Sequence, residues 1–285
     1  MKKSWITILL WKSSLYNIGF MQGRASPKYK GQYQAHPVNN WEGEFKFASE
    51  NSFSSIEFII DLDQWEYNPL VSRSGVTSVE KYVKQYDVPV NTVCCDFLMD
   101  IPLHSSNQTD IDLAHEILTK IIEYGPQINL NTLVIPCVDR SRLSDPKDMD
   151  RFVIEVLSRL GELEKSGMFV SLETDLSPQE FQSLLTKFPE NVGVNYDSGN
   201  SASLGYDMNE EFQLYGERIN DIHLKDRKYR GGSVRLGDGD VNFIKLLEQV
   251  KLLNYSGPII MQAYRDEVGT DILLDQFNFL RELGW

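Results

Sequence analysis

Hydrophobic residues in this chain fall into short β-rich runs, separated by longer stretches in which apolar positions recur with helical spacing. The runs are "YNIGFM" (16–21), "SIEFII" (55–60), "VPVNTVCC" (88–95), "NTLVIPC" (131–137), "MFVSLET" (168–174), "VGVNYD" (192–197), "INDIHLK" (219–225) and "PIIMQAY" (258–264). Between them, Met149, Phe152, Val153, Val156, Leu157 and Leu160 share one face of a predicted helix that stops near Gly167. A second such face carries Ile111, Ala114, Ile117, Leu118, Ile121 and Ile122. Ser177-Pro178-Gln179-Glu180 reads as a capping box with proline at the first helical position, and Asp240 is the expected cap of a helix bearing Phe243, Leu246, Leu247 and Val250.

Helices placed between consecutive strands force those strands to pair in parallel, and eight parallel strands close a barrel. An open doubly wound sheet has the same alternation, but the first strand lacks its G-x-G-x-x-G phosphate turn. The predicted fold is therefore α/β, a (β/α)8 TIM barrel in a single domain over residues 16–285, with residues 1–15 as an N-terminal extension. No Gly/Ser-rich linker or charge block divides it. The opening "MKKSWITILLWKSS" has the outline of a short signal peptide, yet it lacks a small-x-small cleavage site and is too short to span a bilayer.

Charge narrows the partners. With 41 acids against 28 bases the formal charge is -13, so a nucleic-acid backbone would be repelled over much of the surface. Neither nucleic acid nor a membrane is expected as a partner; a homo-oligomer is compatible with everything read here. Cys94, Cys95 and Cys137 are too few for a disulfide framework, which points to free thiols in the cytoplasm and to packing at strand ends. Trp41 and Phe45 read as core on a helix face. No Ser-His-Asp arrangement and no P-loop is visible.

Barrel enzymes place their chemistry at the carboxyl ends of the strands. The last inward positions of the final four strands are Glu173, Asp197, His223 and Gln262, all oxygen or nitrogen donors. Strand alternation sets Ser171 with Glu173, Asn195 with Asp197, and Asp221 with His223 and Lys225. Two carboxylates, an imidazole and an amide carbonyl suit one divalent ion such as Mn, Co, Zn or Mg, with positions left for substrate.

The segments "GFMQGRASP", "IEFIID", "LETD", "NYDSGNSASLGYD", "HLKDR", "VRLGDGDVNF" and "YSGPIIMQAYR" together resemble the sugar phosphate isomerase/epimerase family, xylose-isomerase-like TIM barrels that include ketose 3-epimerases, hydroxypyruvate isomerase and inosose dehydratase. The resemblance implies a small-molecule carbohydrate substrate and one divalent ion held by Glu, Asp, His and Glu from the last four strands, which carries over onto Glu173, Asp197 and His223. It departs at Gln262, where such epimerases have a second glutamate acting as a base, since an amide cannot accept a proton at neutral pH. It departs again at Asn200, where several relatives have histidine.

Other residues are candidates for the missing role and for substrate binding. Lys225 shares the inward parity of His223, and a lysine desolvated beside a metal can shuttle a proton; the alternative is a solvated pair with Asp226. Glu57 is inward on the second strand with Asp61, expected opposite the metal side, as a base, an orienting group or a buried hydrogen-bonded acid. Arg24 and Arg265 lie on neighbouring strands once the barrel closes and could clamp an anionic substrate; Asn200 and Arg227 complete the expected binding set.

The leading expectation is a metal-dependent isomerase or epimerase acting on a sugar or sugar phosphate through an enediolate, with Glu173 as base. A dehydrating lyase and a non-catalytic sugar binder are the alternatives. A nuclease of the apurinic-endonuclease type would need more histidines than His36, His104, His115 and His223 provide.

Overall fold

Eight of the apolar runs become the staves of one barrel. The computed structural model describes residues 16–285, so the expected extension over residues 1–15 lies outside the described residues. Strands β1 Ile18–Met21, β2 Ile56–Ile59, β3 Thr92–Cys94, β4 Thr132–Cys137, β5 Phe169–Thr174, β6 Val192–Asp197, β7 Ile219–Leu224 and β10 Ile259–Met261 close in the order β1-β10-β7-β6-β5-β4-β3-β2. Every pairing between them is parallel. Two short strands, β8 Asp226–Arg227 and β9 Ser233–Val234, form a separate antiparallel pair after β7.

The helices α1 Trp41–Glu50, α2 Arg73–Tyr86, α3 Gln108–Tyr124, α4 Pro146–Ser166, α5 Pro178–Leu185, α6 Ser198–Leu204, α7 Met208–Tyr215, α8 Phe243–Leu252 and α9 Thr270–Glu282 surround the barrel. All six predicted positions on α3 are buried. On α4 the buried stripe is narrower than its spacing suggests: Phe152 and Val156 are covered, but Leu157 is exposed. Gly167 ends α4 in the left-handed conformation (φ 72°), and the Ser177/Glu180 capping box opens α5.

The cap of α8 differs from expectation. Asn242, not Asp240, receives the backbone N–H of Lys245, because Asp240 has been drawn to a different partner, the N–H of Tyr229 at 2.6 Å.

Inside the barrel the two halves differ in chemistry. Met21, Ile59, Cys94, Val134 and Ile260, from β1 to β4 and β10, form an interior apolar cluster separate from the larger core between strands and helices. The interior positions of β5 to β7 are instead polar and buried: Ser171, Glu173, Asn195, Asp221 and His223. A register shift between Val194 and Asn195 sets up part of this. Val194 lies opposite Ile219, yet Asn195 lies opposite Asp221 and Asp197 opposite His223. An unbroken ladder would have placed Asp197 beside Ile222. The skipped residue, Asn220, is held sideways, donating to Val170 O and accepting from Ser171 Oγ.

Candidate active site

Glu173 is the last residue but one of β5, Asp197 ends β6, and His223 sits in β7; ligand atoms of the three lie within 4.8 Å of one another, and all three side chains are buried. Asp197 also caps α6, its Oδ1 accepting from Asn200 N at 2.8 Å. Gln262 follows β10. Its Nε2 donates to Gln34 Oε1 at 3.0 Å, which leaves its buried Oε1 without a hydrogen-bond partner. Together the four expected ligands stand at the ends of four adjacent staves.

Asn200 ties this group to Arg227. Its Nδ2 donates to Glu173 Oε1 at 2.6 Å, and its Oδ1 accepts from Arg227 Nη1 at 2.9 Å. Lys225 reaches Asp197 Oδ2 at 3.3 Å rather than Asp226. Asp226 is engaged elsewhere, accepting from the backbone N–H groups of Gly237, Gly239 and Val241 and so shaping the loop beyond the β8–β9 pair.

Glu57 is inward as its parity requires, but it is not remote from the ligand set. Its Oε1 lies 2.9 Å from His223 Nε2, reaching it across the barrel, and Asp221 Oδ1 is 4.0 Å from the same nitrogen. The contact lacks hydrogen-bond alignment, since both Glu57 oxygens and both His223 nitrogens are without hydrogen-bond partners. Sequence spacing within one strand carries no information about which strand is met across a barrel, so this pairing was missed.

Crowded buried charges perturb one another. Burial, with Asp197 beside it, pushes the Glu173 carboxyl up to about 8. For His223, burial favours the neutral ring, but Glu57 and then Asp221 outweigh it and hold the imidazolium up to about 10. Burial and Glu57 raise Asp221 well above the carboxylate range. Carboxylates crowded in a dry place, with an unpartnered amide oxygen beside them, fit a divalent ion. Glu57, Asp221 and His223 form a second close triad, deeper in the barrel.

A cavity of about 580 Å³ opens over these strand ends, lined by Glu173, Asn200, Lys225, Arg227 and Gln262, and on the other side by Asp61 and Asp96. Glu57 and Asp221 do not line it, and of the outer triad Glu173 does.

Arg24 and Arg265 do not form the expected clamp. Arg265 donates to the carbonyls of Gly23 and Ser26, and Arg24 to Gln34 Oε1 and Tyr33 O. Both are buried, and neither lines the cavity. Residues that sequence reading passed over are Gln34 and Asp96; Asp96 lies two positions beyond β3 and would have been found by applying the strand-end rule to the first four staves as well as the last four.

A profile of the xylose isomerase-like TIM barrel family matches residues 45–283. The chain belongs to this family. Among curated family relatives, a protein of Haemophilus influenzae provisionally named L-ribulose-5-phosphate 3-epimerase SgbU is 22% identical over 255 residues, covering 82% of this chain and 87% of its own. Among solved structures, the apo 3-keto-D-glucoside 4-epimerase YcjR of E. coli superposes with a TM-score of 0.70 at 16% identity, covering 94% of this chain and 99% of that one. The D-allulose 3-epimerase of Methylomonas sp. in complex with D-allulose superposes at 0.72 with 14% identity, covering 94% and 96%. Among the described residues, no helix is long and apolar enough to cross a membrane.

Proposed function

We propose that this xylose isomerase-like barrel is a divalent-metal-dependent isomerase or epimerase that moves a proton on a sugar or sugar phosphate through an enediolate. One observation carries the reading: Glu173, Asp197 and His223 bring ligand atoms within 4.8 Å of one another just beneath a cavity that Glu173 and Gln262 line, and Gln262 Oε1 has no partner. The relatives named as an L-ribulose-5-phosphate 3-epimerase, a 3-keto-D-glucoside 4-epimerase and a D-allulose 3-epimerase support it.

Glu173, Asp197, His223 and Gln262 would hold the ion, with Mn, Co, Zn or Mg matching the donor set. When bound, the ion supplies Lewis-acid polarisation of a substrate carbonyl. The chain's own residues do the rest. Glu173, steered through Oε1 by Asn200 Nδ2, accepts the proton next to that carbonyl. Gln262 cannot return a proton, so the second transfer falls to Lys225, which lines the same cavity. Asn200 and Arg227, joined to each other, bind substrate hydroxyls from the β6 and β7 side. Free buried thiols at Cys94, Cys95 and Cys137 suit a cytoplasmic enzyme.

Gln262 favours one second reading. A lyase that dehydrates an inosose-like ketone needs a single base and a single acid, and product enone absorbance would reveal it.

Metal analysis together with a solvent-deuterium exchange screen tests the proposal. Glu173→Gln nearly keeps the shape of the side chain but cannot take a proton, so it should abolish exchange in a folded protein. Exchange surviving in that variant would remove Glu173 as the base, and exchange with no sugar at all would remove the isomerase.

A further inference from the structure

We infer that the substrate is an unphosphorylated, uncharged ketose, gripped on the side away from Glu173 by a wall of carboxylates. This rests on the sugar-isomerase reading above and narrows its substrate class.

The cavity has two unlike walls. The ends of β5, β6, β7 and β10 supply the proton-transfer and ligand groups. Facing them, the loops after β2, β3 and β4 supply Asp61, Asp63, Asp96, Asp100 and Asp139. Asp61 uses Oδ2 to accept from His36 N, and Asp96 accepts from Cys94 Sγ and from Gln34 Nε2. Carboxylate oxygens have further acceptor capacity, which vicinal hydroxyls can fill. Leu62, Met99 and Val138 lie among them and offer apolar surface to the C–H face of a sugar.

A phosphate ester would need the opposite lining. Phosphate is recognised by several N–H donors and cations directed at one point. Among the described residues the cavity has three cations, and each already has an acceptor: Arg140 on Asp100 at 2.9 Å, Lys225 on Asp197 at 3.3 Å, and Arg227 on Asn200 Oδ1 and Gly231 O. The two guanidiniums that could have clamped an anion, Arg24 and Arg265, are turned to Gln34, Tyr33 and the first loop's carbonyls. Burial, with Asp96 and Asp100 nearby, already pushes Asp61 up to about 7. A dianion brought against this wall would be repelled by it, whereas hydroxyls would be welcomed as donors.

The test uses the metal-loaded full-length protein and a panel of pentuloses and hexuloses, each paired with its terminal phosphate ester. Solvent-deuterium uptake is expected from a neutral member with kcat/KM at least about tenfold above that of its ester. Inorganic phosphate added as a competitor should leave that rate unchanged. Asp61→Asn and Asp96→Asn should each raise KM for the neutral sugar and shrink its advantage over the ester, since each removes an acidic acceptor from the wall. Preference for the ester, inhibition by phosphate, or discrimination unaltered in both variants would overturn the inference while leaving the isomerase intact. Uptake from no member of the panel would overturn both.

Discussion

Glu57 and His223 meet at 2.9 Å across the barrel, and neither side chain has any exposed surface. A carboxylate behind a ligand imidazole fixes the ring's orientation and raises its basicity. Glu57→Gln keeps the volume and removes the charge. The expected result is a fall of about tenfold to a hundredfold in metal affinity with the fold retained, measured by titration calorimetry alongside circular dichroism. Equal affinity in variant and parent would reduce Glu57 to a packing residue.

Metal uptake should release protons. The metal-free protein holds Glu173 up, to about 8, and His223 up, to about 10, so both are mainly protonated at neutral pH. Ligation requires the deprotonated forms, so apparent affinity rises with pH from neutral towards 8, by about tenfold per pH unit for each proton released. Calorimetry in two buffers of different ionisation heat counts the protons directly, and a heat independent of buffer would refute this.

Gln262→Glu tests why an amide stands where the family resemblance implies an acid. Gln34 Oε1 accepts from Arg24 Nη2 at 2.8 Å while its Nε2 donates to Asp96 at 2.7 Å, so its orientation is fixed and it demands a donor at position 262. A carboxylate there would face the amide oxygen that Gln262 Nε2 now meets at 3.0 Å. The metal-free variant should therefore be less stable by about 1–3 kcal/mol, seen as a lower Tm. Added metal should recover part of that loss by drawing the new carboxylate away. A Tm equal to the parent's without metal would show that Gln34 turns freely.

Gly239→Ala should unseat the loop beyond β8. A Cβ there would stand 1.9 Å from Asp226 Oδ1, the carboxylate on which that loop is folded. Overpacking of this kind costs about 1–3 kcal/mol. Arg227 is next in the chain to Asp226, so KM for the sugar should rise with the loss of stability. An unaltered Tm would mean that the loop moves aside without resistance.

Much of this arrangement was legible before any coordinates. The eight staves announce themselves because each is a short apolar run bounded by helix-forming sequence, and inward parity at the last strands picks out Glu173, Asp197 and His223 without reference to distance. What stayed hidden depends on non-local geometry. The Glu57–His223 contact requires knowing how strands face one another across the barrel. Asp240 looks like a cap until Tyr229 N, eleven positions earlier in the chain, claims it. Arg24 and Arg265 look like a clamp because strand adjacency predicts their closeness, while only the path of the first loop reveals that carbonyls already engage both guanidiniums. The Asn195 register shift is likewise invisible in a strand read alone, though it brings Asp197 level with His223.

The eighth stave has a consequence for how the molecule is made. β10 pairs with both β1 and β7, and Arg265 just beyond it bonds to the carbonyls of Gly23 and Ser26, so the seam between the first and the last stave is closed by residues 259–265. A ribosome delivers residues 259–265 after every other stave, and until then the nascent sheet has two bare edges on β1 and β7 and lacks Gln262. Cavity and closed wall are thus completed by the same few residues, late in translation. Chains arrested before residue 259 should fail to retain metal, while those extended past the seam, with enough further length to clear the exit tunnel, should hold it.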